Sequence, residues 1–367
     1  MSAYILPPIN AAAINAKTTR FGITDAMLVS SSVPETPPAA YAAGTTYALG
    51  AECSTGTAGG VITCWKSLQA GNIGHTPDVS PTWWTTTGTT YAAWAAGTSW
   101  ATGALVIRPG LHAVYERAAP GGVDATLPEN DLTKWRRVSS TNRWAMFDML
   151  SAAPTVGVSP ITVVLAPGRV TGLGILKADG NTVEVTEKSG ASTVFYELTS
   201  LDSTVIASWE DYFFAEANPR ANFVRNTIQP YADAQLTIKV TGASTAKLGK
   251  LIVGKTVYLG SVLADPRVRE KTYHVVTRDE RSGELTDIDV RKTVPMVSQS
   301  LFVEKASCIK AFDALRSAKV TPCLIVGIDN DKDEYAELLT FLSLCTDVDI
   351  DPKHTTHAVI NAELEGV

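Results

Sequence analysis

Seven aromatic side chains between residues 47 and 135 have the types and spacing for molecular recognition: Tyr47, Trp65, Trp83, Trp84, Trp100, Tyr115 and Trp135. An indole or phenol ring offers a flat apolar face that stacks on the C–H face of a sugar, while its edge and nearby Asn, Asp or Thr groups bond hydroxyls. The same rings are also what a small domain uses for its own core, and both roles stay open for each. Adjacent Trp83 and Trp84 favour exposure of one ring, because neighbours in an extended segment face opposite ways.

Residue types that catalyse are poorly organised. The acids of residues 37–140 are Glu52, Asp78, Glu116, Asp124, Glu129 and Asp131, mostly in expected turns, which gives no clear pair of opposed carboxylates for glycoside hydrolysis. There is no Gly-x-Ser-x-Gly elbow and no organised Cys–His pattern. No catalytic residue and no cofactor is assigned, and the chain reads as a non-enzyme. Gly249 to Thr256 has phosphate-loop spacing, but its Leu-Ile-Val interior and the Val257-Tyr258-Leu259 that follows read as strand where a helix should open. Asp329, Asp331 and Asp333 match half of a calcium loop, yet Glu334 stands where glycine is needed and Thr340 where glutamate is needed; a capped helix start explains the acids better. His75, His112, His274, His354 and His357 lack partners at metal-ligand spacing and read as surface or backbone-bonded residues, with His75 beside Asp78 a weaker ligand contact. No metal site is assigned.

Five cysteines leave at least one unpaired. Cys53 and Cys64 bracket a hairpin-like stretch across which they could oppose one another under oxidising conditions, with free thiols the alternative, whereas Cys308, Cys323 and Cys345 read as small core residues.

The rings belong to a repeat. Tyr41, Gly44, Thr45, Tyr47 and Gly50 are answered 53 residues later by Trp94, Gly97, Thr98, Trp100 and Gly103; the copies realign at an offset of 50, Gly60 to Trp65 against Gly110 to Tyr115, and close near Trp84 and Trp135. Alternation punctuated by Gly and Pro predicts short antiparallel strands in each copy. The expected organisation is an N-terminal arm (1–36), a first small β-module (37–87), a second (88–140), a β-sandwich (141–260) and an α+β assembly unit (261–367). In the sandwich, strands are expected at 161–165, 170–176, 182–185, 194–198, 209–214 and 234–240. In the last unit, charged strands 269–277 and 286–294 should flank a turn, followed by helix 305–319, strand 322–326, helix 333–344 and strand 357–364. The fold class is multidomain and mainly β. The net charge of −6, sparse charge before residue 140 and absence of a long basic run argue against a nucleic-acid partner. No run of about 18 apolar residues predicts membrane insertion.

Two resemblances add to this reading. Tyr41-Ala-Ala-Gly-Thr-Thr-Tyr47, Val61-Ile-Thr-Cys-Trp65-Lys-Ser-Leu68, Asn72, Pro77 and Pro81-Thr-Trp-Trp84 resemble the chitin-binding-type modules of carbohydrate-binding families 5 and 12. The second copy keeps Trp100, Tyr115 and Trp135 but reads Pro128-Glu-Asn-Asp131 where the usual Pro turn is expected. The arrangement around Thr141-Asn-Arg-Trp-Ala-Met-Phe-Asp148, Trp209 to Phe214, Pro230 to Leu236 and Leu248 to Gly260 resembles tail proteins of long-tailed bacteriophages. What that implies is a virion protein of the tail tip or baseplate, assembled in the host cytoplasm as a homo-oligomer with other tail proteins and presenting its modules to a host cell-surface glycan. The alternatives are a purely structural tail component whose modules pack against proteins, and a polysaccharide-degrading enzyme. The Asn142 to Asp148 phrase itself reads as a junction pinning the sandwich to the repeats.

Overall fold

The computed structural model describes residues 2–202, 204, 208–214, 219–263, 266–329, 335–352 and 356–367. The architecture is mainly β and multidomain, with several small antiparallel sheets and a C-terminal region that sets one helix against a larger sheet. His354 and Asp331, Asp333 and Glu334 of the rejected calcium-loop match lie outside the described residues.

Each repeat folds into a three-stranded antiparallel sheet: Glu52–Gly56, Val61–Ser67 and Trp84–Tyr91 in the first copy, and Leu105–Arg108, Ala113–Arg117 and Trp135–Ser140 in the second. The copies share their hydrogen bonds. Gly50 N donates to Ser67 O and Gly103 N to Arg117 O, both at 2.8 Å, and both glycines sit at positive φ, 81° and 80°, where a side chain is strained. Pro77–Val79 and Pro128–Asn130 are both 3-10 turns starting on proline, so the second copy preserves the Pro turn despite its altered sequence. Cys53 pairs across the ladder with Trp65, and Cys64 with Ser54. Directly opposed residues share a face and neighbours alternate, which puts the two cysteines on opposite faces, and both thiols are free. Burial pushes each up to about 11.

The sandwich is built from a five-stranded sheet, a three-stranded sheet and the pair Thr155–Val158 with Thr245–Leu248. Alternation in Ile161–Leu165 and Ala234–Thr241 sends Ile161, Val163, Leu165, Leu236, Ile238 and Val240 inward, where each is fully buried. Residues 2–36 are woven into the body. Leu28–Ser31 is the edge strand of the five-stranded sheet, Phe21, Ile23 and Val33 enter the sandwich core, and Ser2–Leu6 pairs with both Val257–Val262 and Cys323–Val326.

That first strand helps close a ring of strands in the terminal unit. From Val257–Val262 the pairing runs through Ser2–Leu6, Cys323–Val326, Thr340–Asp351, His357–Gly366 and Thr293–Glu304, which returns to the start through Ser261↔Phe302 and Val262↔Leu301. The helix Lys305–Ser317 flanks it, burying Cys308, Ala311 and Leu315 and leaving Ile309 exposed.

Two expected elements differ. Trp209–Phe214 is a short helix instead of a strand, with Trp209 and Tyr212 in edge contact at helical spacing (centroids 6.2 Å apart) and Trp209, Tyr212, Phe213 and Phe214 all exposed. Its apolar residues have no period-two pattern to hold a strand. The helix expected over 333–344 gives way, in its described part, to a turn and then the strand Thr340–Asp351. Leucines at helical spacing suggested the helix, but ladders to Cys323–Val326 and His357–Gly366 override that local preference.

Sandwich and ring meet without room to spare. A Cβ built on Gly174 would lie 2.1 Å from Leu324 Cδ2, and one on Gly172 2.9 Å from Leu6 Cδ1. Gly174→Val should therefore lower the free energy of unfolding by about 1–3 kcal/mol in a denaturant titration, the usual cost of overpacking.

Candidate functional site

Placement of the seven rings separates them into two groups. Tyr47 and Trp84 are buried in the first module's core, and Trp100, Tyr115 and Trp135 in the second's. Their faces are used on one another: Tyr47 meets Trp84 edge-on at 5.0 Å, and Trp100 meets Trp135 at 6.3 Å. Two of the three indole N–H groups are anchored as well, Trp84 Nε1 donating to His75 O at 2.8 Å and Trp135 Nε1 to Asp124 Oδ2 at 3.1 Å, while that of Trp100 is buried without a partner among the described residues. For these five the expected ligand-facing role is replaced by core packing, because modules this small have little else to fill their interiors. Trp65 and Trp83 remain half-buried. Trp65 Nε1 donates to Thr55 Oγ1 at 2.9 Å, and Trp83 stacks on His75 with centroids 3.9 Å apart and planes 12° from parallel. Both adjacent tryptophans pack on the first module's core, Trp83 from the turn that precedes the strand, and of the two only Trp84 is fully enclosed.

The densest polar constellation lies where the modules join the body. Glu35 is almost fully buried. Its carboxylate accepts from Thr141 Oγ1 at 2.9 Å and Trp144 Nε1 at 3.2 Å and lies 2.8 Å from His112 Nδ1. The other ring nitrogen of His112 is 2.8 Å from Asp25 Oδ1, and the imidazole stacks on Trp144 with centroids 3.7 Å apart. Thr90 Oγ1, from the first module's last strand, donates to the backbone carbonyl of Glu35. One residue thus touches the first module, the second module and the junction. His112 is neither on the surface nor bonded through its ring to backbone, the two roles its sequence suggests. Burial acts to lower its pKa, and the hydrogen bonds and charges of Glu35 and Asp25 outweigh it, leaving the imidazole above its ordinary value. Sequence gave no signal for Glu35 beyond a lone acid among prolines.

The Asn142 to Asp148 phrase is the other half of the joint. Asn142 exchanges two bonds with Val156, donating to its O at 2.7 Å and accepting from its N at 2.9 Å; Arg143 Nε donates to Val33 O at 2.6 Å. Met146 and Phe147 are fully buried, as is Asp148, which accepts from Arg20 Nε at 2.7 Å and Ser140 Oγ at 2.5 Å. Lys250, at an interior position of the Gly249 to Thr256 spacing, lies in a fully buried strand and donates to Ala145 O at 2.8 Å; burial lowers its ammonium to about 8. It clamps this phrase, while Lys255, the lysine of that spacing, is exposed just past the strand, and Val257–Val262 continues as strand where a helix would be needed. Among the described residues no cluster of three or more His, Cys, Asp or Glu is placed to hold a metal ion.

No family model matches the chain, and no curated protein matches it. Among solved structures, a chain of one described as "Tail of empty GTA particle computed with helical refinement, C6 symmetry" is similar at 11% identity, with a TM-score of 0.21 over 31% of this chain and 83% of that one.

Two outcomes follow from the joint. Glu35→Ala strips a buried imidazole, indole and hydroxyl of their partner and should cost about 3–5 kcal/mol in chemical denaturation. Because the folded state binds the His112 proton more tightly than the unfolded chain does, this contribution is fully present below 6.5 and is lost as pH rises through the folded-state value. Unfolding curves across that range should show the loss in the wild type and not in His112→Gln.

Proposed function

We propose that this chain is a structural, non-enzymatic subunit of a phage-type tail, at the tip or baseplate of the virion, whose β-modules pack against the body and neighbouring proteins. The proposed divisions are the two modules at 37–87 and 88–140, with the first module's last strand, Trp84–Tyr91, running past that boundary, the sandwich to 260 and an assembly unit beyond. The resemblance carried by Asn142 to Asp148 and the tandem modules motivates the tail reading. The observation that carries assembly is the hairpin of Val275–Arg278 and Leu285–Asp289, in which every residue is exposed. Val276 and Ile288 pair directly across it, and Val275, Leu285 and Val290 are exposed beside them. A two-stranded hairpin is marginal alone in water, and an apolar pair on its surface gains most when a neighbouring subunit covers it. The rigid seating of the modules fits a packing role: beyond the Glu35 contacts, Leu105 N donates to Gly59 O at 3.0 Å, linking module to module.

A second reading rests on Trp65 and Trp83. Both stay half-buried while the other candidates are enclosed, and the stacked Trp83–His75 pair is a flat polar-edged surface suited to a pyranose ring. On this reading the first module alone contacts a host cell-surface glycan, and several copies in one particle raise a weak affinity.

Light scattering of the purified chain, over a concentration series, should show a homo-oligomer that Val276→Lys with Ile288→Lys converts to folded monomers. A wild type that stays monomeric at the highest concentration, with no neighbour-dependent assembly, removes the support for the structural reading. Trp83→Ala in the same protein should leave assembly intact; loss of adsorption to purified envelope glycan would favour the second reading, and unchanged adsorption would end it.

A further inference from the structure

A cleft of about 1000 Å³ opens between the N-terminal segment, the second module and the terminal unit. Phe21, Leu111 and Val320 supply apolar wall, and Lys17, Arg20 and Arg137 supply positive charge. Asp25 is the one acid in the lining, and its carboxylate is engaged with His112 at 2.8 Å.

The charges around this cleft do not balance. Asp148 lies behind its wall, but its oxygens are committed to Arg20 Nε, Ser140 Oγ and the Leu150 amide at 2.7, 2.5 and 3.0 Å. Arg137 is half-buried, and its one hydrogen bond among the described residues goes from Nη2 to Ser140 Oγ at 3.1 Å. No carboxylate among the described residues pairs with it, unlike Arg108, which grips Glu129 at 2.8 Å, and Arg136, which pairs with Glu116 at 2.5 Å on the same strand as Arg137. Burial holds the Arg137 guanidinium below its usual range, the charge of neighbouring Arg20 adds to that effect, and the charges of Asp148 and Tyr115 offset it only in part. Arg20 uses Nε on Asp148 and leaves its terminal nitrogens without a partner among the described residues. A partly desolvated cation without a directly paired carboxylate is unfavourable, and a guanidinium fork is matched to the oxygens of a carboxylate or phosphate.

We propose that this cleft binds a small oxyanion-bearing ligand, with its carboxylate or phosphate held between Arg20 and Arg137 and its body resting on Phe21, Leu111 and Val320. The volume suits a ligand of a few rings, and an apolar wall with a few convergent polar groups is the usual make-up of such a site. Since the walls come from three parts of the chain, occupancy ties them together and stabilises the folded protein by mass action. This site is independent of the tail reading and of the Trp65–Trp83 surface.

The test is thermal unfolding and calorimetric titration of the full chain with inorganic phosphate, glucuronate, glucose and chloride at matched ionic strength. A saturable rise in Tm with phosphate or glucuronate, and none with glucose or chloride, is expected; the stronger of the two anions identifies the oxyanion. Arg137→Gln should weaken binding by at least about tenfold, the loss of a charge-assisted contact. The free variant should unfold at or above the wild-type temperature, since it removes an unpaired charge. Shifts no larger than those of chloride, or unchanged binding by Arg137→Gln, would overturn the proposal. So would a variant that unfolds well below wild type while keeping its affinity, because Arg137 would then be a structural residue.

Discussion

The buried carboxylate of Glu35 is the contact on which the arrangement of this molecule depends. Burying a charge is costly unless its hydrogen-bonding capacity is filled, and here Thr141, Trp144 and His112 fill it while Thr90 holds the same residue's backbone. These partners come from the junction and from both modules. The modules are therefore seated by a polar network whose members lose their partners together, instead of by a broad apolar interface that tolerates sliding. Asp25 extends the network further back along the N-terminal segment through the far nitrogen of His112.

Apolar packing dominates deeper in the body, and it also crosses the chain. Ser2–Leu6 is a shared strand of the terminal ring, while residues a little further along supply Phe21, Ile23 and Val33 to the sandwich. Gly172 and Gly174 let Leu6 and Leu324 approach the sandwich strand at distances that no side chain would allow. Sandwich and ring keep separate cores, and a third cluster containing Leu6, Met149, Leu176 and Leu324 fills the space between them.

The two modules show how one scaffold divides its aromatic residues between structure and surface. Equivalent rings enclose each core, and the second copy reinforces its own with a buried Arg117–Asp124 pair, the guanidinium lying 5.6 Å over the Trp135 ring. The first copy has no such pair and keeps Trp65 and Trp83 partly open. The inequality suspected from the altered turn is real, but it resides in the packing: the prolines of both copies begin the same kind of turn.

Much of this fold was legible in the sequence. The repeat, most sandwich strands, the helix at 305–317 and the mainly β class follow from periodicity and turn residues, which are local properties of the chain. The Asn142 to Asp148 phrase was readable as a junction because adjacent large apolar groups and an arginine require partners elsewhere. What sequence left open was decided by contacts between distant residues. That Trp84 is enclosed while Trp83 stays half-open depends on where the strand pairing begins, and the fate of residues 340–344 depends on two strands that pair with them. His112 and Glu35 lie 77 positions apart and meet only when the second module closes on the N-terminal segment. Amino-acid order determines which groups are present and how each segment prefers to lie; only the folded chain determines which charges are desolvated together, because burial is a property of the whole surface and not of any segment.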